Sequence, residues 1–128
     1  MRPQFEAFYV LSAELASRTP EDNKAATEEL AQSFAQSGVP YILGQGRYKA
    51  TNETCFLVPA EFVSNVVEAA RRYRQESVLL VRSDRTAALL FLQGSGVSTI
   101  GSWTETDPSI AQAQDAYTLV DGKYYTIL

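Results

Sequence analysis

Residues 73–81 read YRQESVLLV. The unbroken apolar run Val78–Val81 predicts a strand that is buried on both faces, because half-exposed strands alternate apolar and polar residues instead. The strand opens with Glu76, beside Gln75. Moving a lone charge out of water is expensive, so this carboxylate needs either water or a partner. We therefore expect Glu76 at the rim of a core or paired with another group.

Upstream of this stretch the sequence predicts a strand followed by a capped helix. Residues 8–13, FYVLSA, are rich in aromatic and branched side chains and indicate the strand. Thr19 is a suitable N-cap and Pro20 suits the first helical position, so the helix is expected to begin there. Residues at four-residue spacing form its expected apolar stripe: Ala26, Leu30 and Phe34.

Two more strands and a second helix are expected before residue 73. Residues 40–50, PYILGQGRYKA, contain Gly44 and Gly46, which predict a strand that is bent or bulged, or that opens into a loop. Residues 53–58, ETCFLV, predict the next strand. Pro59 is expected to start the second helix, whose apolar residues again recur at helical spacing.

Downstream, strands alternate with short turns. Residues 77–81 and 86–92 predict two strands joined by a tight turn. The segments 116–120 and 123–128 flank Asp121-Gly122, and an Asp-Gly pair between alternating apolar residues is a strong hairpin signal.

This order, β-α-β-β-α-β with extra C-terminal strands, is the ferredoxin-like α+β pattern of an antiparallel sheet with both helices on one face. We expect the first and third strands in its centre and the fourth beside the second at an edge. The other face must be covered by the C-terminal tail or by another subunit, because its strands are too apolar to leave bare. The length suits a single domain over residues 1–128.

Composition excludes several function classes. A net charge of −4 argues against binding duplex nucleic acid, which requires a basic face. The chain has no histidine and one cysteine, Cys55, so zinc sites and Ser-His-Asp triads are not expected. A lone cysteine forms no internal disulfide, which favours a reducing compartment. No apolar run approaches the length that spans a bilayer, and we expect a cytosolic protein without membrane association.

Four polar residues do not fit a simple division into core and surface, and each has a structural alternative. Asn23 faces inward in the first helical turn, either as a capping residue or as a ligand contact. Glu53 and Glu76 each open a strand, either as exposed strand ends or as functional carboxylates. Tyr48 stands among glycines as a stacking surface or a local plug. Cys55, in mid-strand, is expected to be a buried small side chain and not a nucleophile.

The order of several segments resembles a known family. These segments are FYVLSA (8–13), EDN (21–23), GRYKA (46–50), ETCFLV (53–58), RQESVLLV (74–81) and TAALLFLQGSG (86–96). Together they resemble the phage-encoded enzymes that degrade S-adenosylmethionine (SAM), long called SAM hydrolases and now understood as SAM lyases. The resemblance extends from residue 8 to about residue 125. A second resemblance is to small uncharacterised bacterial and phage domains with a similar skeleton.

The resemblance to SAM lyases implies a homotrimer related to PII signalling proteins, with active sites between subunits. It also implies a chemistry without metal or cofactor. The carboxylate of SAM attacks its own Cγ, expels 5′-methylthioadenosine and leaves homoserine lactone, so the protein has only to bind the reactive conformer. In phages such an enzyme works in the host cytoplasm and depletes the methyl donor of host restriction systems.

The resemblance also implies roles for individual residues. Tyr48 is similar to the family tyrosine near the reacting centre, where its ring face could hold the sulfonium. Glu53 is similar to the glutamate that holds the ammonium of the methionine end. Glu76 is similar to a second acidic position that contacts the amino group or the ribose. Apart from the resemblance, Asn23, which faces inward in the first helical turn, and Gln75, beside Glu76, are expected to bind substrate.

Two other functions fit the same sequence. One is a non-catalytic PII-like trimer that binds a nucleotide or a host protein. The other is a protein that blocks host defence by direct contact. Neither would cleave SAM, and the second would not depend on the carboxylates of Glu53 and Glu76.

Overall fold

The computed structural model describes residues 6–48, 50–94 and 96–128, and for Tyr48 it describes the backbone only. Along these residues the strands are β1 (Phe8–Leu11), β2 (Ile42–Tyr48), β3 (Thr51–Pro59), β4 (Ser77–Val81), β5 (Thr86–Phe91), β6 (Val97–Thr106), β7 (Ala116–Val120) and β8 (Lys123–Ile127). The helices are α1 (Pro20–Gln36), α2 (Val63–Arg72) and α3 (Pro108–Gln114), and a 3-10 turn, Ala60–Phe62, precedes α2.

The eight strands form one closed antiparallel barrel. Around it the neighbours run β1-β3-β2-β7-β8-β6-β5-β4, and β4 pairs with β1 to close the ring. The predicted ferredoxin-like α+β fold is therefore wrong, as is its PII-like form, because that fold has an open sheet with two free edges. The fourth strand pairs with β1, where Val10 lies opposite Leu79, and not with the second strand.

The C-terminal third of the chain closes the barrel. Gln45–Tyr48 of β2 pairs with Ala116–Leu119 of β7, and Trp103–Thr106 of β6 pairs with Tyr124–Ile127 of β8. Closure removes the free edges of the sheet. The sheet face that we expected the tail or another subunit to cover is instead turned inward as the barrel interior.

The apolar residues of the strands pack in two layers on opposite faces of the barrel wall. In β1, Phe8 belongs to the interior cluster, whereas Tyr9 and Leu11 pack with the helices outside. Alternating side chains of a strand point to opposite faces, so both faces of one strand contribute to the core. The interior cluster contains Phe8, Cys55, Leu57, Val81, Trp103 and Val120. The outer cluster includes Leu30, Phe34, Phe56, Val58, Val66 and Val78.

Helix α1 begins as the sequence predicts. The hydroxyl of Thr19 accepts the N–H of Asp22 at 3.1 Å, and Pro20 is the first helical residue. The stripe faces the barrel wall, with Leu30 and Phe34 buried. The second helix begins later than expected, because Pro59 ends β3 and the 3-10 turn intervenes before Val63.

The expectation of a bulge in the second strand is wrong. Strand β2 pairs with β3 without a register shift from Ile42 to Tyr48. A Cβ on Gly44 would lie 3.1 Å from the Val120 side chain and 3.2 Å from Cys55 Sγ, so this glycine permits close packing and not a bend. The irregularity lies elsewhere, between Ala87 and Ala88, where β5 meets β6.

The predicted Asp-Gly hairpin is confirmed. Strands β7 and β8 pair up to Val120 and Lys123, and the two residues between them have positive φ angles, 53° at Asp121 and 77° at Gly122. Such angles match the right-handed twist of the flanking strands. Of the helices that the structure describes, none combines the length and the apolar character that crossing a membrane requires.

Candidate functional site

Polar side chains collect where β1 ends and where β3 and β4 begin. We call this part of the molecule the polar end, and it comprises Ser12, Glu14, Glu53 and Gln75. Antiparallel pairing explains why they meet, because the C-terminal end of β1 lies between the N-terminal ends of its two neighbours. The cluster therefore joins residues that are far apart in sequence.

Glu53 points to the inner face of the barrel. It lies two residues before Cys55 and four before Leu57, both of which pack in the interior cluster, and side chains alternate along a strand. Its cross-strand partner is Gly46, and a Cβ on that glycine would be 3.9 Å from Glu53 Cγ. The carboxylate thus lies over a position that has no side chain to cover it.

The environment of Glu53 disfavours its ionised form. Partial burial is the main cause that raises the pKa of its carboxyl, and the negative charge of Glu14 raises this pKa further. A hydrogen bond from Ser12 opposes both effects by stabilising the carboxylate. In the described part of the chain, no lysine or arginine forms an ion pair with Glu53 or Glu14. A bound cation would supply the missing compensation.

Glu14 connects three parts of the polar end. Its Oε2 accepts the backbone N–H of Thr54 at 2.6 Å. Its own N–H donates to Ser12 Oγ at 3.0 Å, and its carbonyl accepts the side chain of Gln75 at 3.0 Å. These bonds tie the segment after β1 to the start of β3 and to the loop before β4.

Asn23 is engaged with the backbone of its own segment. Its Oδ1 accepts the N–H of Leu15 and its Nδ2 donates to the carbonyl of Leu15, each at 2.9 Å. These two bonds hold Asn23 against the segment before the helix, whose N-cap is Thr19. They hold the segment that carries Glu14, and a direct substrate contact of Asn23 stays a prediction.

Gln75 and Glu76 lie at the same end of the barrel but in different surroundings. Gln75 is partly buried and donates to the carbonyl of Glu14. The side chain of Glu76 is exposed, and its backbone carbonyl accepts the N–H of Leu92 at 3.1 Å. Glu76 is thus at the rim, as one of the two expectations had it, and its role in binding stays a prediction.

Tyr48 and Cys55 complete the set of residues considered from the sequence. The side chain of Tyr48 lies outside the described residues, while its backbone pairs with Thr51 and Ala116. Cys55 is 4% exposed, and burial with the nearby Glu53 charge raises the pKa of its thiol to about 12. A thiol in that environment is not a nucleophile at neutral pH, so the expectation of a buried small residue is confirmed.

A cavity of about 450 Å³ opens along β6, β7 and β8. The rings of Trp103 and Tyr125 stack at 5.0 Å on its wall, and Thr118 also lines it. Thr118 is the neighbour of Gly46 on the side away from Glu53. Glu53 and Thr118 are therefore two strand spacings apart, about 9.6 Å, with only a glycine between them.

Sequence reasoning missed Ser12 and Glu14. The available signal was Ser12, which follows Phe8 and Val10 at the two-residue spacing of an inward face yet is polar. Nothing in the local sequence connects Glu14 with Thr54, because that contact depends on the register between β1 and β3. Across residues 6–48, 50–94 and 96–128, no three His, Cys, Asp or Glu side chains are grouped so that they could hold a metal ion.

Comparison with known proteins gives the family. A search of curated proteins returned no match. The family model described as the S-Adenosylmethionine lyase family matches residues 9–128, which include every residue of the polar end. Because this match covers nearly the whole chain, the protein belongs to the S-adenosylmethionine lyase family.

Proposed function

We propose that this protein is a SAM lyase that releases 5′-methylthioadenosine and L-homoserine lactone. Membership of the family supports action on SAM in general. In the proposed step the substrate carboxylate forms an O–Cγ bond while the Cγ–S bond breaks. The electron pair of the Cγ–S bond moves to the sulfonium sulfur, which leaves as the neutral thioether of 5′-methylthioadenosine. The reaction needs no proton, oxidant or external nucleophile.

The proposal depends mainly on the surroundings of the Glu53 carboxyl. Its carboxyl is partly buried, has a raised pKa, lies beside a second carboxylate and has no cationic partner in the described part of the chain. The ammonium of the methionine end is a cation of suitable size, and its arrival would favour the ionised carboxylate. Glu53 therefore binds this ammonium in the proposal.

In this mechanism the protein acts by orientation. The nucleophile and the leaving group belong to one molecule, so the rate depends on how often the carboxylate lies in line with the Cγ–S bond. Glu53 fixes the ammonium, and Tyr48 would hold the sulfonium through its ring face. Gln75, Glu76 and Asn23 are proposed to hold the rest of the substrate, Asn23 by keeping the segment after β1 in place or by direct contact.

Assembly into a homotrimer is part of the proposal. Three large apolar side chains are exposed on β5 and β6: Phe91 (41%), Val97 (51%) and Ile100 (43%). Phe91 lies opposite Ser77, the residue after Glu76. A second copy that covers Phe91 at the end of β5 would place Glu76 in a cleft between subunits, which supports a shared site. Sedimentation velocity of wild type and Phe91→Ser measures the assembly and should show fewer trimers in the variant.

The proposed biological role is phage counter-defence in the host cytoplasm. Depletion of SAM removes the methyl donor on which host restriction systems depend. The test is the methylation of host DNA after expression of wild type or Glu53→Gln. Methylation should fall with the wild type alone. An equal fall with both proteins would show that the effect on host methylation does not depend on SAM cleavage through Glu53.

The activity is tested by incubation of SAM with purified protein and chromatography of the products. Wild type should release 5′-methylthioadenosine. Glu53→Gln should be at least about 100-fold slower, because the loss of one orienting contact can cost that much. Glu28→Gln, at an exposed position of α1, is the matched control and should keep full activity. Saturable binding of SAM by wild type without any cleavage would instead indicate the non-catalytic binding protein.

Isotope labelling separates a lyase from a hydrolase. In ¹⁸O-water, intramolecular attack leaves the Cγ oxygen unlabelled, because that oxygen comes from the substrate carboxylate. Later opening of the lactone places label in the carboxyl group alone. Direct hydrolysis at Cγ would place label in the homoserine hydroxyl, and mass spectrometry of the product distinguishes the two positions.

A further inference from the structure

Glu14 makes three hydrogen bonds to which the proposed mechanism gives no role. Its N–H, carbonyl and carboxylate are bonded to Ser12 of its own segment, to Gln75 before β4 and to Thr54 of β3, respectively. Two of these bonds hold its backbone, and the third holds its carboxylate. Its position relative to the start of β3 is accordingly well defined.

The carboxylate of Glu14 completes the ladder between β1 and β3. Register places Leu11 opposite Phe56, and β1 ends there. The N–H of Thr54 would meet a β1 carbonyl if the strand continued. It meets Glu14 Oε2 at 2.6 Å instead, a hydrogen bond to a charged acceptor, which is stronger than a neutral one. Glu14 thereby fixes the residue next to Glu53.

A purely structural role does not account for the charge of Glu14. A glutamine oxygen could accept the same N–H, and it would not repel the Glu53 carboxylate as Glu14 does. Two carboxylates without a basic partner among the described side chains make the empty protein less stable. The same pair attracts a cation more strongly than one carboxylate alone, which offsets that cost when substrate binds.

We propose that Glu14 is a positioning residue for SAM cleavage: it fixes the start of β3 so that Glu53 faces the substrate ammonium, and its charge strengthens the hold of Glu53 on that cation. This inference rests on the proposed function. Its consequence is that two properties of Glu14, its length and its charge, contribute separately, so different substitutions remove them one at a time.

The groups that face Glu53 define the pH dependence. From the segment after β1 these are Ser12 and Glu14, from β3 the neutral thiol of Cys55, and from the described side chains of β2 the Gly46 position, which carries no charge. The guanidinium of Arg18 is on the same segment but donates to the carbonyl of Ala13 at 2.8 Å. Glu14 is therefore the charge whose removal should lower the pKa of Glu53, while burial keeps part of the shift.

Glu14→Gln keeps the length and removes the charge. The acid limb of the pH profile of kcat/KM reports the ionisation of Glu53 in the free enzyme and should move to lower pH. KM should rise about tenfold, with a smaller change in kcat. Exchange of the Thr54 amide proton should stay slow. A ¹³C titration of the Glu53 carboxyl should show the same downward movement without substrate.

Glu14→Asp keeps the charge and shortens the side chain. Exchange of the Thr54 amide should become faster, kcat/KM should fall, and the acid limb should stay near its wild-type position.

The inference would be overturned if the acid limb and the Glu53 titration of Glu14→Gln were equal to those of the wild type. Wild type that leaves SAM intact would refute the proposed function and this inference with it, whereas active wild type with an unshifted Glu14→Gln would refute this inference alone.

Discussion

The two ends of the barrel interior are built from the same strands but serve different purposes. At one end, which we call the apolar end, Phe8, Leu57 and Val81 pack together, and the Phe8 ring meets Trp103 edge to face at 5.4 Å. At the polar end the same inner face carries Ser12, the residue after β1, and Glu53 of β3. Burial of apolar area stabilises the first end, whereas the second contains a carboxylate with a raised pKa. Stability and binding are therefore separated along single strands.

The largest effect is expected from truncation at the apolar end. Phe8→Ala should lower the free energy of unfolding by about 3–5 kcal/mol, because a buried ring is replaced by a cavity. Denaturant unfolding measures the loss, and the fraction that remains folded should cleave SAM at nearly the wild-type rate. Unchanged stability would show that Phe8 is not part of a packed interior.

Ser12→Ala, four residues after Phe8 and just beyond the end of β1, should show the reverse pattern. Its hydroxyl accepts the N–H of Glu14 and bonds the Glu53 carboxyl, so about 1–2 kcal/mol of stability should be lost. Activity should fall far more than in Phe8→Ala, because Glu53 loses a fixed partner. The measurement is kcat/KM of Ser12→Ala and Phe8→Ala at equal folded fraction. A Ser12→Ala enzyme of full activity would contradict the separation of stability and binding between the two ends.

Two glycines of β2 sharpen the comparison further. A Cβ on Gly44 would come within 3.1 Å of Val120, so Gly44→Ala should cost about 1–3 kcal/mol of stability. A Cβ on Gly46 would make only ordinary contacts, the nearest at 3.7 Å, so Gly46→Ala should unfold like the wild type. It should nevertheless slow SAM cleavage, because the added methyl group would lie beside Glu53 where the substrate ammonium is proposed to bind. Equal stability of the two variants in chemical denaturation would count against the packing described.

A smaller effect, dependent on pH, is expected for the stability of Glu53→Gln. The pKa of Glu53 in the folded protein lies above its ordinary value of 4.5, so ionisation disfavours the folded state. Wild type therefore loses stability as pH rises from about 4.5 through the raised pKa, and the variant does not. Thermal unfolding should show Glu53→Gln more stable than wild type near pH 7 and not near pH 4. A variant less stable at pH 7 would contradict the raised pKa.

The smallest change in stability is expected for Glu76→Gln, because this side chain is exposed. Its unfolding curve should coincide with that of the wild type within about 0.5 kcal/mol. Activity should fall, because Glu76 is proposed to lie in a cleft between subunits and to hold substrate, and unchanged activity would show that it faces water in the assembly. The same SAM assay therefore reports whether Glu76 belongs to the site.

Local features of the fold could be predicted from the sequence, and its closure could not. The Thr19 cap, the stripe of α1 and the Asp121-Gly122 hairpin each depend on residues within a few positions of one another. Closure depends on β2 pairing with β7, where Arg47 lies opposite Tyr117. Strand β6, VSTIGSWTET, is largely polar and exposed, so its pattern did not indicate a long strand in a barrel wall.

The candidate site was predicted in part for the same reason. Glu53 was identified because it is a polar residue at the start of an apolar strand, and Gln75 because it stands beside Glu76. Glu14 was not, since only the register of β1 against β3 places it beside Thr54. Glu76 follows the same sequence rule as Glu53 but ends exposed, because it precedes β4 where the loop reaches the surface.

Release of 5′-methylthioadenosine from SAM, measured by chromatography for wild type and Glu53→Gln side by side, tests the central claim most directly. Product should form with wild type and be at least about 100-fold slower with a Glu53→Gln protein that is folded and at least as stable at pH 7. Equal rates for the two proteins would show that the inward carboxylate of β3 does not hold the substrate.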